Sequence, residues 1–147
     1  ERHQGTGNVA CGFLKGYGIK EGAVALSVAH DSHNIIVVGV NDEEMEFAVN
    51  SLIAQEGGIV LVKEGKVIEQ MPMPIAGLMS DQSGEWVDEK LTSIHEKAYT
   101  ELGICGDVEP VMTLCFMSLA VIPEIKLTDM GLFDVTTFSF IPVEISR

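Results

Sequence analysis

The stretch NIIVVGVNDEEMEFAVNSLIAQEGG, residues 34–58, changes its hydrophobic period partway along and decides the fold. Residues 34–40 are rich in β-branched side chains, which predicts a strand buried on both faces. Asn41 or Asp42 can then cap a helix, and Gly57 with Gly58 can end it. The apolar positions of this segment recur at helical spacing and form one stripe: Met45, Ala48, Val49, Leu52 and Ile53.

The rest of the chain alternates between strand and helix patterns. Residues 9–18 and 22–29 read as strands, and residues 58–72 read as a hairpin with its turn near Glu64 and Gly65. Residues 85–103 predict a second long helix, residues 111–123 fit helix or strand, and residues 127–145 predict a terminal strand. This order predicts one α+β domain (an α/β two-layer fold) over residues 1–147, with two long helices packed on a mixed sheet.

Charge and hydropathy narrow the classes of partner. The chain has 22 acidic and 9 basic residues, giving a net charge of −13, which disfavours nucleic acid and anionic membrane surfaces. The longest apolar run, MTLCFMSLAVI, has about half of the roughly 20 residues that cross a bilayer. The polar start ERHQGTGN lacks the apolar region of a signal peptide.

The cysteine pattern favours a reducing compartment. Cys11, Cys105 and Cys115 form no CxxC pair and are odd in number. Cys11 and Cys115 lie in apolar runs, where a free thiol behaves as a small buried hydrophobe. We therefore expect reduced cysteines and a cytoplasmic protein.

The densest group of polar residues is HDSHN, residues 30–34, between two apolar runs. His30 and His33 can exchange protons near neutral pH or bind a metal. Asp31 can orient an imidazole, and Asn34 can orient a substrate through its amide. The alternative is a turn in which the Asp, Ser and Asn side chains bond to the backbone and the histidines have no role. Local spacing leaves both interpretations open.

Other candidate motifs are weaker. His3 could supply a third metal ligand beside His30 and His33, although a solvated residue is the simpler reading, and His95 falls off the apolar stripe of its predicted helix. The glycines of GTGNVACGFLKGYG do not have the spacing or the preceding strand of a dinucleotide-binding turn. The chain has no G-x-S-x-G or H-E-x-x-H sequence and lacks the zinc signature of nucleobase deaminases.

Several longer motifs, taken in order, resemble one family. ERH, GTGN, GFLKGYG, AVALSVAHDSHNIIVVG, NDEEM, MPMPIAGLMS, MTLCFMSLAVIPEIKLTDMGL and FIPV are similar to the C-terminal domain of bacterial and archaeal adenine deaminases. The resemblance implies hydrolysis of adenine to hypoxanthine and ammonia in purine salvage. It also implies a divalent metal, manganese or iron, in a (β/α)₈ amidohydrolase barrel that precedes this domain, and a homo-oligomer. The ligands of that metal have no counterpart here, so we expect this chain to be inactive alone.

The resemblance gives the polar group an expected role. An appended domain can close the mouth of a barrel, where the substrate binds. We expect His30, Asp31 and His33 to act in catalysis there. Asn34, Arg2 and His3 are expected to position the substrate. Two alternatives remain: a structural or oligomerisation module, and a stand-alone metal hydrolase built on His3, His30, Asp31 and His33.

Overall fold

The structure is a computed structural model and describes residues 1–144. The strands are β1 (Ala23–Leu26), β2 (Ile36–Gly39), β3 (Gly58–Lys63), β4 (Lys66–Pro72), β5 (Ile125–Thr128), β6 (Gly131–Asp134) and β7 (Ser139–Ile141). The helices are α1 (Asp42–Ala54), α2 (Gly84–Thr100) and α3 (Pro110–Cys115). The predicted α+β class is confirmed.

Strand β1 lies inside a four-stranded sheet of order β2-β1-β3-β4. Its neighbours β2 and β3 both run antiparallel to it, and β4 runs antiparallel to β3. The prediction of a mixed sheet is therefore wrong, because every pair of hydrogen-bonded neighbours in this sheet is antiparallel. β2 is an edge strand, which explains why it is only partly buried after Ile36 rather than buried on both faces.

Every side chain of β1 is fully buried, so both faces of the sheet need a cover. Ala23 and Ala25 pack against Ala48 and Leu52 of α1 on one face. Val24 and Leu26 lie in the core on the other face, with the apolar side of α2. Helices thus cover both faces, and the sheet is the middle of three layers rather than one of two.

Helix α1 begins where its cap was predicted. The Asn41 side chain accepts a hydrogen bond from the Glu44 amide at 2.8 Å, which satisfies one free N–H of the first turn. The predicted stripe is confirmed at Ala48 and Leu52, whereas Ile53 is 58% exposed. The predicted stripe is wider than the surface that Ala23 and Ala25 of β1 offer to the helix, so Ile53 at its side is left exposed.

Two predicted strands differ in the structure. Residues 9–18 form no strand; Gly16 and Gly18 have φ of 90° and 78°, conformations outside the strand region. The terminal segment folds as the three short strands β5, β6 and β7, because turns interrupt it, and Ile145 lies outside the described residues. The ambiguous segment 111–123 is the short helix α3 followed by turns.

The cysteines are free, as expected, but differ in burial. Cys11 is exposed, contrary to the prediction, because its segment forms no strand. Cys115 is buried, and burial, with a smaller effect from Glu109, raises the pKa of its thiol to about 11. Among residues 1–144, no helix is both long and apolar enough to span a membrane.

Glu69 on β4 ties the sheet to α2. Its carboxylate accepts hydrogen bonds from Lys90 Nζ and Lys97 Nζ, both at 2.8 Å, and from Ser93 Oγ at 2.5 Å. Burial alone would raise the pKa of Glu69, but these bonds outweigh burial and lower the pKa to about 2. The charged carboxylate therefore stabilises the packing of α2 on β4.

Replacing Glu69 with Gln should lower the free energy of unfolding by about 1.5–3 kcal/mol at pH 7, since it removes charge-assisted hydrogen bonds. The folded-state pKa is depressed below the ordinary 4.5, so this stabilisation is present above that pH and is lost as the pH falls towards 2. Urea denaturation at pH 7 and at lower pH measures the difference. Glu89→Gln, an exposed acid on α2, is the control; equal losses in both variants would contradict the prediction.

Candidate functional site

The polar residues 30–34, the histidine loop, connect β1 to the edge strand β2. The His30 amide donates to the Cys115 carbonyl at 2.9 Å, and the Ser118 hydroxyl donates to the His30 carbonyl at 2.9 Å. The His33 amide closes the turn on Ala29. The start of the loop is thus bound to the last residue of α3 and to Ser118 beyond it, through backbone atoms of His30 and not through its imidazole.

The two imidazoles predicted to be catalytic lie together. Their ring centroids are 5.5 Å apart in an edge-on arrangement. His30 also stacks on Phe116, with centroids 5.0 Å apart, so its ring has an apolar support. Both histidines are partly buried, and among residues 1–144 the buried Nδ1 of His33 has no hydrogen-bond partner. This nitrogen is thus a buried polar atom that the described residues leave unsatisfied.

Asp31 and Asn34 take different positions in the loop. Asp31 is exposed, and within residues 1–144 its carboxylate forms no hydrogen bond with either imidazole. Asn34 is partly buried, and its side-chain oxygen accepts from the Arg2 amide at 3.4 Å, a weak bond. Part of the turn chemistry considered above is also present, since the Ser32 hydroxyl faces the Asn34 amide at 3.5 Å.

Arg2 and His3 reach the loop from far away in sequence and bind its backbone. Arg2 Nε donates to the His33 carbonyl, and Arg2 Nη2 donates to the Ala76 carbonyl at 2.9 Å. His3 Nε2 lies 2.8 Å from the Ser32 carbonyl, so it must carry the proton of that bond. These contacts make Arg2 a clamp between two loops, with its guanidinium committed to carbonyl oxygens.

Residues that the sequence did not single out complete the clamp. Ser27, at the end of β1, is 1% exposed; its hydroxyl donates to the Gly77 carbonyl at 2.5 Å and accepts from the Gly58 amide at 2.8 Å. Gly77 has φ of 72°, and a Cβ there would lie 3.1–3.2 Å from the Arg2 guanidinium. The motif MPMPIAGLMS contained this signal, since a glycine between apolar residues often marks a close approach.

Comparison with known proteins gives the family. Residues 1–139 match the family model described as "Adenine deaminase C-terminal domain". The chain belongs to this family. It is 76% identical over 144 residues to "Adenine deaminase 2" of Desulfotalea psychrophila, and 52% identical over 145 residues to "Adenine deaminase" of Halalkalibacterium halodurans. These matches cover 98% and 99% of the chain but 25% of each relative, so the chain spans about a quarter of their length.

The adenine deaminase C-terminal domain does not assemble the metal site considered for His3, His30 and His33. Within residues 1–144, no group of three or more His, Cys, Asp or Glu side chains is arranged to hold a metal ion. His3 is turned to the Ser32 carbonyl, which leaves the pair of imidazoles without a third ligand. The residues described here therefore do not fit a divalent metal.

Two grooves of the domain are lined by residues of the strands and segments that flank the histidine loop. A groove of about 740 Å³ runs between residues 12–19 and β2 and has no histidine in its lining. A smaller one, about 230 Å³, is lined in part by Arg2, Ser27 and Glu56. Neither of these two grooves of the adenine deaminase C-terminal domain is lined by His30 or His33.

Replacing Arg2 with Lys should loosen the clamp, because an ammonium group cannot reproduce the fixed fork that joins two carbonyls. Loss of one such charge-assisted bond, about 1.5 kcal/mol, corresponds to about tenfold faster local opening. Hydrogen exchange of peptides covering residues 27–35 and 74–80 measures this. Lys15→Gln, at an exposed position, is the control, and unchanged exchange in Arg2→Lys would show that the clamp does not hold the loops.

Proposed function

We propose that this domain works as part of an adenine deaminase that hydrolyses adenine to hypoxanthine and ammonia in purine salvage. The observation that carries the proposal is the match of the chain, over nearly its whole length, to domains of proteins named adenine deaminase. The free cysteines are consistent with action in the cytoplasm. As the chain spans a quarter of those relatives, the isolated chain is proposed to be inactive.

The metal and the reaction centre belong, in this proposal, to an N-terminal amidohydrolase barrel. Because residues 1–144 do not fit a metal, manganese or iron would be held by the barrel's own side chains. The C-terminal domain would place the histidine loop at the barrel mouth. A loop between two strands of a rigid sheet, clamped by Arg2 and supported by Ser27, keeps its geometry without the substrate.

The chemistry proposed for the loop is proton transfer. Deamination replaces the exocyclic amino group of adenine with oxygen from water, and the departing nitrogen must gain a proton to leave as ammonia. An imidazole exchanges protons near neutral pH, and the buried His33 Nδ1 has no partner within residues 1–144. We assign His30 and His33 to this step and the exposed Asp31 to assisting it.

The substrate-binding residues divide into two groups. Asn34 is partly buried beside the imidazoles and can present its amide to a purine. Arg2 and His3 would act through the loop backbone that they bind and not through contact with adenine. A purely structural or oligomerisation module is the second candidate, favoured by the exposed apolar side chains such as Phe13 and Phe138.

Alanine at His30 or at His33 in the full-length enzyme should lower turnover of adenine at least tenfold while the fold stays intact, since general acid–base groups contribute about a hundredfold or more. Ammonia release measures turnover, and circular dichroism measures folding. His95→Ala is the matched control, since that imidazole lies on α2 and pairs with Glu109 at 2.5 Å. Turnover near wild type in both loop variants would remove the catalytic role and favour the structural module.

A further inference from the structure

The two faces of the small sheet β5-β6-β7 differ: one carries Leu127 and Leu132, and the other carries Phe133 and Phe140. Gly12 lies against the first of these faces, since a Cβ there would be 3.1 Å from Leu132 and 3.8 Å from Leu127. The Asn8 side chain bonds to Asp129 at 3.4 Å in the same region. The amino-terminal segment thus covers the part of this face that carries Leu127 and Leu132.

Three aromatic rings lie together on the second face, on its β6–β7 side; on the β5 side of the same face, Lys126 is buried. Phe133 pairs directly with Phe140 across β6 and β7, and directly paired residues lie on the same face of a sheet. Phe133 is 5.2 Å from Phe138 and 5.3 Å from Phe140 between ring centroids, both edge-on. Phe138 is 77% exposed and Phe140 is 53% exposed. We name this cluster of Phe133, Phe138 and Phe140 the aromatic face.

An ordered turn between β6 and β7 positions Phe138 of the aromatic face. The Asp134 carboxylate accepts from the Thr136 amide at 2.8 Å, from the Thr136 hydroxyl at 2.6 Å and from the Thr137 amide at 3.3 Å. These bonds fix the turn between β6 and β7, which carries Phe138. Exposed aromatic clusters on ordered backbone are typical of the centres of interfaces.

We propose that the aromatic face is the surface on which the rest of the deaminase polypeptide docks; the inference rests on the proposed function. The length of the relatives supports this occupant. The match covers 25% of each relative, so about three quarters of each relative lies outside the matched domain. A second copy of the domain is less favoured, since it would bring two net charges of −13 together.

The position of the small sheet relative to the histidine loop supports the same occupant. The Leu127 amide of β5 donates to the Met117 carbonyl at 2.9 Å, and the adjacent Ser118 bonds to His30. Residues 2–12 run from the histidine loop to the other face of the small sheet. A domain that covers the histidine loop would therefore lie close to the small sheet as well.

Cysteine labelling of the full-length enzyme tests the docking. Phe138→Cys is expected to react with a maleimide at least tenfold more slowly than Val67→Cys, with each site followed by peptide mass spectrometry. Val67 is an apolar control, 38% exposed, on β4 at the opposite edge of the four-stranded sheet from β2. Both sites should react equally in denaturant. Phe140→Cys is the second variant if Phe138→Cys does not fold.

The outcomes separate the occupants. Equal labelling of Phe138→Cys and Val67→Cys in the folded enzyme overturns the proposal. Protection that disappears on dilution, as an oligomer dissociates, also overturns it and identifies a second copy. Protection that is independent of concentration supports docking of the same polypeptide. Adenine turnover of the same enzyme is measured separately. Absence of turnover would contradict the proposed function, whereas equal labelling would contradict the docking.

Discussion

Complete burial of β1 is the constraint on which the rest of the structure depends. With four side chains at 0% exposure, the strand requires a cover on both faces, and α1 and α2 supply it. Small alanines on one side let α1 approach closely, whereas Val24 and Leu26 fill the other side. The strand is therefore a rigid support, and the loop that leaves it begins at a fixed point.

Ser27 connects the rigid strand β1 to the loops that form the site. Its buried hydroxyl both donates and accepts, which joins the end of β1 to the start of β3 and to the turn at Gly77. Arg2 rests on that turn and spans to the histidine loop. Backbone carbonyls thus take up the Arg2 guanidinium, and within residues 1–144 the buried Nδ1 of His33 has no hydrogen-bond partner.

The local part of this structure could be predicted from the sequence. The change of period after Val40, with Asn41 as a cap, gave α1, and Glu64 with Gly65, at φ of 51° and 66°, gave the hairpin turn. Each of these depends on residues a few positions apart. The histidines were also identified from local composition, and the structure brings His30 and His33 together.

The remaining features depend on contacts between distant residues. The clamp joins Arg2 to Ala76, 74 positions away, and no local pattern marks that pair. The strand expected over residues 9–18 does not form, and Gly16 and Gly18 there have positive φ. The alternating, aromatic-rich last segment predicted one strand, whereas turns divide it into three. The third layer could have been predicted from the sequence, because β1 and β3 are apolar at almost every position and such strands are buried on both faces.

The most direct measurement is a structure of the full-length deaminase with a purine bound. If the histidine loop acts on the substrate, a ring nitrogen of His30 or His33 lies about 3 Å from the purine or from a water that contacts it, with the Arg2 clamp intact. A histidine loop that lies in bulk solvent, or that contacts another subunit away from the purine, would rule out that role.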